Sequence, residues 1–162
     1  MYSQSRRFTF ASIALMVCLL VIALGALPAG WLFITRPDGS GLGMPLSFLA
    51  GSPFPDFTIP GVVLFSLFGI GSLVVLYGLI VRPRWAWTEP LTQPLHMHWS
   101  LAAAGLIGIG LLIWIVVQVI VIKTISFLQP TIFLIGLAIV LLAWRVATQT
   151  QPSRISREAT QS

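Results

Sequence analysis

Long apolar stretches without charge constrain this chain more than any other feature of its sequence. Residues 8–27, 60–81 and 99–122 contain no Asp, Glu, Lys, Arg or His. Each has the length of about 20 residues that a helix needs to cross a hydrocarbon core. A fourth apolar stretch, residues 126–145, ends with a single arginine. The sequence therefore predicts an all-α membrane protein, folded as a bundle of four transmembrane helices.

The start of the fourth span depends on a short polar motif. Counted only from Pro130, this span would be too short for a core about 30 Å thick. The spacing of Ser126 and Gln129 is typical of a capping box, which would satisfy unpaired N–H groups and leave Pro130 in the first turn. We therefore predict that the fourth helix begins at Ser126.

Composition supports a single membrane domain. Of the 162 residues, 57% are hydrophobic and 8% are charged. In soluble domains roughly a quarter of the residues are charged. We assign residues 1–146 to one transmembrane domain and expect the polar segment 147–162 to be a disordered tail. The nine Lys and Arg residues form no basic stripe, which argues against nucleic acid as a partner.

The distribution of cations predicts the orientation, because short cytoplasmic loops are enriched in Lys and Arg. We expect both termini and the middle loop to be cytoplasmic. One side would receive Arg6, Arg7, Arg82, Arg84, Arg145, Arg154 and Arg157, and the other only Arg36 and Lys123.

The connection between the first two spans, residues 28–59, is unusually long for a compact protein. It contains enough large apolar side chains to pack, and Pro45 followed by an apolar run and Gly51 predicts one helical turn. We expect an ordered extracytoplasmic loop that lies over the outer ends of the helices. It would either seal the bundle or provide a surface for a ligand or partner.

Four polar residues near the outer ends of the spans are candidates for a functional or structural cluster: Asp56, Gln118, Lys123 and Gln129. Asp56 precedes the second span, where a helix N-terminus favours a carboxylate. We expect Asp56 to pair with Lys123, with catalysis as the weaker alternative. Gln118 lies about one turn inside the outer boundary and would form a hydrogen bond between helices or contact a substrate.

Several kinds of site are not expected. No ionised side chain lies at mid-depth, which argues against ion-coupled transport and proton relays. His96 and His98 would lie on opposite sides of a helix, so we expect no metal site. Cys18 is the only cysteine, so no disulfide forms within the chain. We predict no catalytic residue and no cofactor.

The third span also contains a face of small residues. Ala104 and Gly108 have the small-xxx-small spacing that lets two helices approach closely. This pattern predicts a packing face, and it leaves open whether the partner helix belongs to this chain or to another.

Three motifs carry a resemblance to a known group of proteins. Residues 51–61 (GSPFPDFTIPG), 114–118 (WIVVQ) and 126–130 (SFLQP) resemble a group of small, uncharacterised four-helix membrane proteins of bacteria. The resemblance covers most of residues 40–142. It implies the same helix count and a bacterial cell membrane, draws attention to Asp56, Gln118, Gln129 and Pro130, and implies no activity.

Two functions are compatible with these features. We favour a non-enzymatic multi-pass membrane protein that acts as an accessory or assembly subunit, with the lipid bilayer and other membrane subunits as its partners. The alternative is a small carrier, or a membrane protein that binds a lipid or small molecule, in which the outer loop covers a pocket ending at Gln118.

Overall fold

The computed structural model describes residues 9–82, 98–123 and 127–150. These ranges are helical, with no strand, and four of their helices are long and apolar enough to cross a membrane. This agrees with the predicted multi-pass helical membrane protein. The helices are α1 (Phe10–Thr35), α2 (Thr58–Val81), α3 (Trp99–Ile122) and α4 (Leu128–Thr150).

The four helices form a bundle in which each runs antiparallel to the next. α1 packs against α2 and α4, and α3 packs most extensively against α4 and also against α2. The side chains between them are apolar, and the faces that remain exposed carry large aliphatic residues, as expected of helices surrounded by lipid. Fully buried residues at the centre include Leu15, Leu19, Phe68, Ala104 and Ile139.

The small-residue face of α3 is used within this chain. A Cβ atom built on Gly108 would lie 2.9 Å from the carbonyl oxygen of Gly136 and 2.7 Å from Cγ2 of Val140, both on α4. Ala104, one turn earlier, is completely buried. The absence of a side chain at Gly108 therefore allows the backbones of α3 and α4 to approach closely.

The middle of α2 is widened. Residues Leu64–Ile70 are π-helical, and the N–H of Gly71 donates to the carbonyl oxygen of Ser66. Such segments occur mostly as single-turn bulges and are frequent at functional sites. The ring of Phe68, in this segment, is 1% exposed and contacts Trp114 of α3. This feature was not predicted from the sequence.

The first helix is longer than predicted. It passes through Pro28 and ends at Thr35, whereas the prediction ended it at residue 27. Proline is tolerated in membrane helices, where neighbouring helices satisfy the backbone around it. Beyond it, Gly30 and Phe33 are buried against α2 and the loop, and this packing extends the helix. The connection to α2 is therefore residues 36–57, which we call the cap, instead of residues 28–59.

The fourth helix is also longer than predicted. It continues past Arg145 to Thr150, into the segment expected to be a disordered tail. Val146 and Ala147 are buried in the central apolar cluster, so the start of that segment contributes to the core. The proposed start at Ser126, and the remainder of the predicted tail, residues 151–162, lie outside the described residues.

The cations used to predict orientation are only partly described. Arg82 follows α2 and Arg145 lies in α4 at one end of the bundle, while Arg36 and Lys123 lie at the end that carries the cap. The other arginines fall outside the described residues, as does His96. His98 caps the start of α3, where its Nδ1 accepts from the N–H of Ser100.

Candidate functional site

The cap begins with a tight turn. The N–H and the hydroxyl of Ser40 both donate to Oδ1 of Asp38, at 3.1 and 2.8 Å. Gly39 has a φ of 79°, which a residue with a side chain rarely adopts. The hydrogen bonds from Ser40 hold the pKa of Asp38 below its ordinary value. Two short 3-10 turns follow, Ser40–Leu42 and Leu46–Leu49.

An aromatic pair fixes the far end of the cap to the bundle. The rings of Phe33, on α1, and Phe57 are stacked, with centroids 4.7 Å apart and planes inclined by 9°. Leu49 completes a buried cluster with them. The N–H of Phe57 donates to the carbonyl oxygen of Pro37 at 3.0 Å, so the two ends of the cap are tied to each other.

A pocket lies between the cap, α3 and the adjoining ends of α1 and α2. Its volume is about 110 Å³. Among the described residues that line it, none is ionisable; Ser52 and Gln118 are polar, and Trp114 adds an indole N–H donor. The lining residues are Phe33, Met44, Leu49, Ser52, Pro53, Phe54, Phe57 and Pro60, together with Trp114, Val117, Gln118, Val121 and Ile122 of α3.

The two polar residues of the lining differ in their hydrogen bonding. The hydroxyl of Ser52 donates to the carbonyl oxygen of Leu49 at 3.0 Å and accepts from the N–H of Phe54 at 3.2 Å. The side-chain amide of Gln118 has no hydrogen-bond partner among the described residues, although the residue is half-buried. The interhelical hydrogen bond predicted for Gln118 is therefore absent from this part of the chain.

The wall contributed by α3 follows a helical face. Trp114, Val117, Gln118 and Val121 are spaced at i, i+3, i+4 and i+7 and all line the pocket. The ring of Trp114 meets that of Phe68 edge-on, with centroids 5.9 Å apart. The pocket is thereby connected to the π-helical segment of α2. Helical spacing around Gln118 would have identified these neighbours from the sequence.

Asp56 contacts the start of α2, where a helix N-terminus is expected to favour its carboxylate. Its Oδ1 accepts a hydrogen bond from the N–H of Thr58, the first residue of α2, at 2.8 Å. No ion pair joins Asp56 to Lys123, and both residues lie in the described part of the chain. The described residues therefore show no tie between the cap and α3 through these charges, and Oδ1 of Asp56 satisfies a backbone N–H at the helix start.

The remaining members of the predicted cluster lie at the same end of the bundle but outside the pocket lining. Lys123 is exposed and ends α3 with a left-handed φ of 55°. Gln129 is buried in the first turn of α4. Of the four candidate polar residues, only Gln118 lines the pocket. Phe33, Phe57 and Trp114 were not predicted as site residues, because only the folded cap brings them together.

Comparisons of the chain with protein families, with curated proteins and with solved structures each found no match. The resemblance to small bacterial four-helix membrane proteins remains a prediction from its three motifs.

Proposed function

We propose that this protein binds a lipid or another small apolar molecule of the membrane in the pocket beneath the cap. The observation that carries the proposal is the apolar cavity of about 110 Å³ between the cap and α3. The pocket is open on one side, and concave, mostly apolar pockets with a few polar groups are the usual form of small-molecule sites. This is the carrier or ligand-binding alternative raised from the sequence.

The size of the cavity limits what it can hold. An apolar cavity of about 150 Å³ in another protein is large enough to bind benzene. The cavity here is somewhat smaller, so it accommodates a short segment of an acyl chain or one small ring. The remainder of a larger ligand would extend into the surrounding bilayer.

The location of the pocket follows from the proposed orientation. The cap end carries Arg36 and Lys123, and the opposite end carries Arg82 and Arg145, with further arginines in the flanking sequence. The positive-inside rule supports placing the cap on the outer face of a bacterial cell membrane, with both termini cytoplasmic. The ligand would then enter from the outer leaflet.

The accessory-subunit function remains a prediction. In the sequence it rests on the lack of ionisable groups within the spans and on the expected packing of the outer loop. The small-residue face of Ala104 and Gly108, which could have met another subunit, is covered within this chain. No described feature favours that function over ligand binding.

Photolabelling tests the proposal. The full chain would be reconstituted in phosphatidylcholine nanodiscs with a monoacylglycerol that carries a diazirine near the end of its acyl chain. After irradiation, adducts would be located by peptide mass spectrometry. We expect them to concentrate on pocket residues such as Phe57, Trp114 and Val121. An even distribution over the lipid-facing residues of the helices would contradict the proposal.

A matched pair of variants controls for folding. Val121→Phe adds a ring inside the pocket, whereas Val116→Phe adds the same ring to an exposed position of α3 outside the lining. We expect Val121→Phe to remove most adducts on Phe57 and Trp114, and Val116→Phe to leave them unchanged. Equal labelling in the two variants would also contradict ligand binding in this pocket.

A further inference from the structure

We infer that Gln118 selects the ligand by donating a hydrogen bond to a carbonyl group at the head of an acyl chain, so that the preferred ligand is an ester-linked or amide-linked lipid. This inference rests on the proposed function and adds the chemical class of the ligand.

The hydrogen-bonding state of the pocket supports this assignment. Ser52 already uses its hydroxyl as donor and acceptor within the cap. Two lining side chains have donors without a partner among the described residues, Gln118 and the indole N–H of Trp114, and Gln118 lies one turn nearer the end of α3. An amide carries two N–H donors and one carbonyl acceptor. The amide is accessible and its donors are unused, so a ligand that supplies an acceptor at this place gains a hydrogen bond.

The depth of Gln118 indicates which lipid group reaches it. α3 has 24 residues, and at about 1.5 Å per residue it is about 36 Å long. If it is centred in a hydrocarbon core about 30 Å thick, each end extends about 3 Å beyond the core. Gln118 lies one turn before Ile122, roughly 6 Å along the helix axis, and is therefore about 3 Å inside the boundary.

Acyl carbonyls are the polar groups of a lipid nearest to this level, since phosphates and sugars lie farther out. The lining also carries no ionisable side chain among its described residues, so nothing in the pocket would stabilise a buried phosphate or carboxylate. A carbonyl at the amide and an acyl segment against Trp114 and Val121 would match both the polar and the apolar parts of the lining.

Competition between two lipids that differ only in the carbonyl tests the inference. The diazirine-bearing monoacylglycerol would be displaced by unlabelled monoacylglycerol or by the 1-O-alkylglycerol of the same chain length. Hydrogen bonds between polar groups in membranes are modest, so we expect the ester to compete about threefold to tenfold better than the ether. The readout is the yield of adducts on Phe57 and Val121.

Variants of Gln118 test whether its side-chain amide causes the preference for the ester over the ether. Gln118→Leu should bring the ratio of ester to ether competition close to one while the probe still labels the pocket, because the apolar lining is retained. Gln118→Asn keeps the amide on a shorter side chain and should retain part of the preference. An undiminished preference in Gln118→Leu would overturn the assignment.

The two proposals fail in different ways. Labelling of the pocket without any preference for the ester in the unmodified protein would overturn the inference about Gln118 and leave ligand binding intact. Absence of pocket labelling would overturn both.

Discussion

The stacked rings of Phe33 and Phe57, with centroids 4.7 Å apart, join the last turns of α1 to the end of the cap. Phe57 is 3% exposed, so its ring is buried as deeply as a core residue. The cap therefore depends on an apolar anchor, and the pocket depends on the cap because half of its wall belongs to it.

Removing this anchor should open the cap. Phe57→Ala deletes a buried ring, a change that costs about 3 kcal/mol or more in protein cores. We expect the cost to appear as local opening of residues 36–57, measured as faster hydrogen exchange there with little change in α3 and α4. Leu46→Ala, at an exposed position of the cap, should leave exchange unchanged. Equal effects of both changes would contradict an anchoring role.

The contact of α3 with α4 provides a second prediction. Gly108→Ala places a Cβ within 2.9 Å of the carbonyl oxygen of Gly136, and overpacking of this kind costs about 1–3 kcal/mol. Gly105→Ala is the matched control, since nothing lies within 4 Å of a Cβ at that position. Thermal unfolding in mild detergent should show a lower midpoint for Gly108→Ala only. If Gly105→Ala lowers the unfolding midpoint equally, α3 is intolerant of larger residues in general, which would contradict a specific contact at Gly108.

Asp56 should act as a hydrogen-bond acceptor and not as one member of an ion pair. Asp56→Ala removes the acceptor for the N–H of Thr58 and should cost about 1 kcal/mol of stability, as loss of a capping side chain does. Asp56→Asn keeps an oxygen acceptor for the N–H of Thr58 and should retain most of this stability. Lys123→Ala should have no measurable effect. If Lys123→Ala and Asp56→Ala destabilise the protein equally, the two charges interact after all.

The turn at the start of the cap should respond to acid. Hydrogen bonds from Ser40 lower the pKa of Asp38 from its ordinary value of 3.8. The contribution of these hydrogen bonds to the stability of the folded protein is fully present above that ordinary pKa. It is lost as the pH falls through the lower pKa that Asp38 has in the folded state. A carboxyl titration by NMR should therefore place the pKa below 3.8. Ser40→Ala should raise the pKa of Asp38. An unchanged pKa in that variant would show that the Ser40 hydroxyl is not what lowers it.

The sequence predicted the interior of each span but not the ends, for a physical reason. Uncharged apolar runs require burial in lipid wherever they occur, so their presence alone predicts four helices. Where a helix stops depends on packing that a single sequence does not specify. Pro28 and the polar residues after Arg145 indicated boundaries, yet the burial of Phe33, Val146 and Ala147 extends α1 and α4 past them.

The site was predictable in outline only. Gln118 was identified as the possible end of a pocket beneath the loop because it is an isolated polar residue in an apolar span. The other walls come from residues distant in the sequence, such as Phe33, Phe57 and Trp114, and only the fold of the cap brings them together. The charges of Asp56 and Lys123 suggested an ion pair, whereas the structure shows Asp56 hydrogen-bonded to the N–H of Thr58.

The measurement that tests the account most directly is the number of lipid molecules that remain bound to each chain after purification in mild detergent, determined by native mass spectrometry. We predict one tightly bound molecule in the unmodified protein and in Val116→Phe, and none in Val121→Phe, whose added ring fills the pocket. Equal retention in all three proteins, or no retention in any, would contradict the claim that the pocket beneath the cap is a binding site.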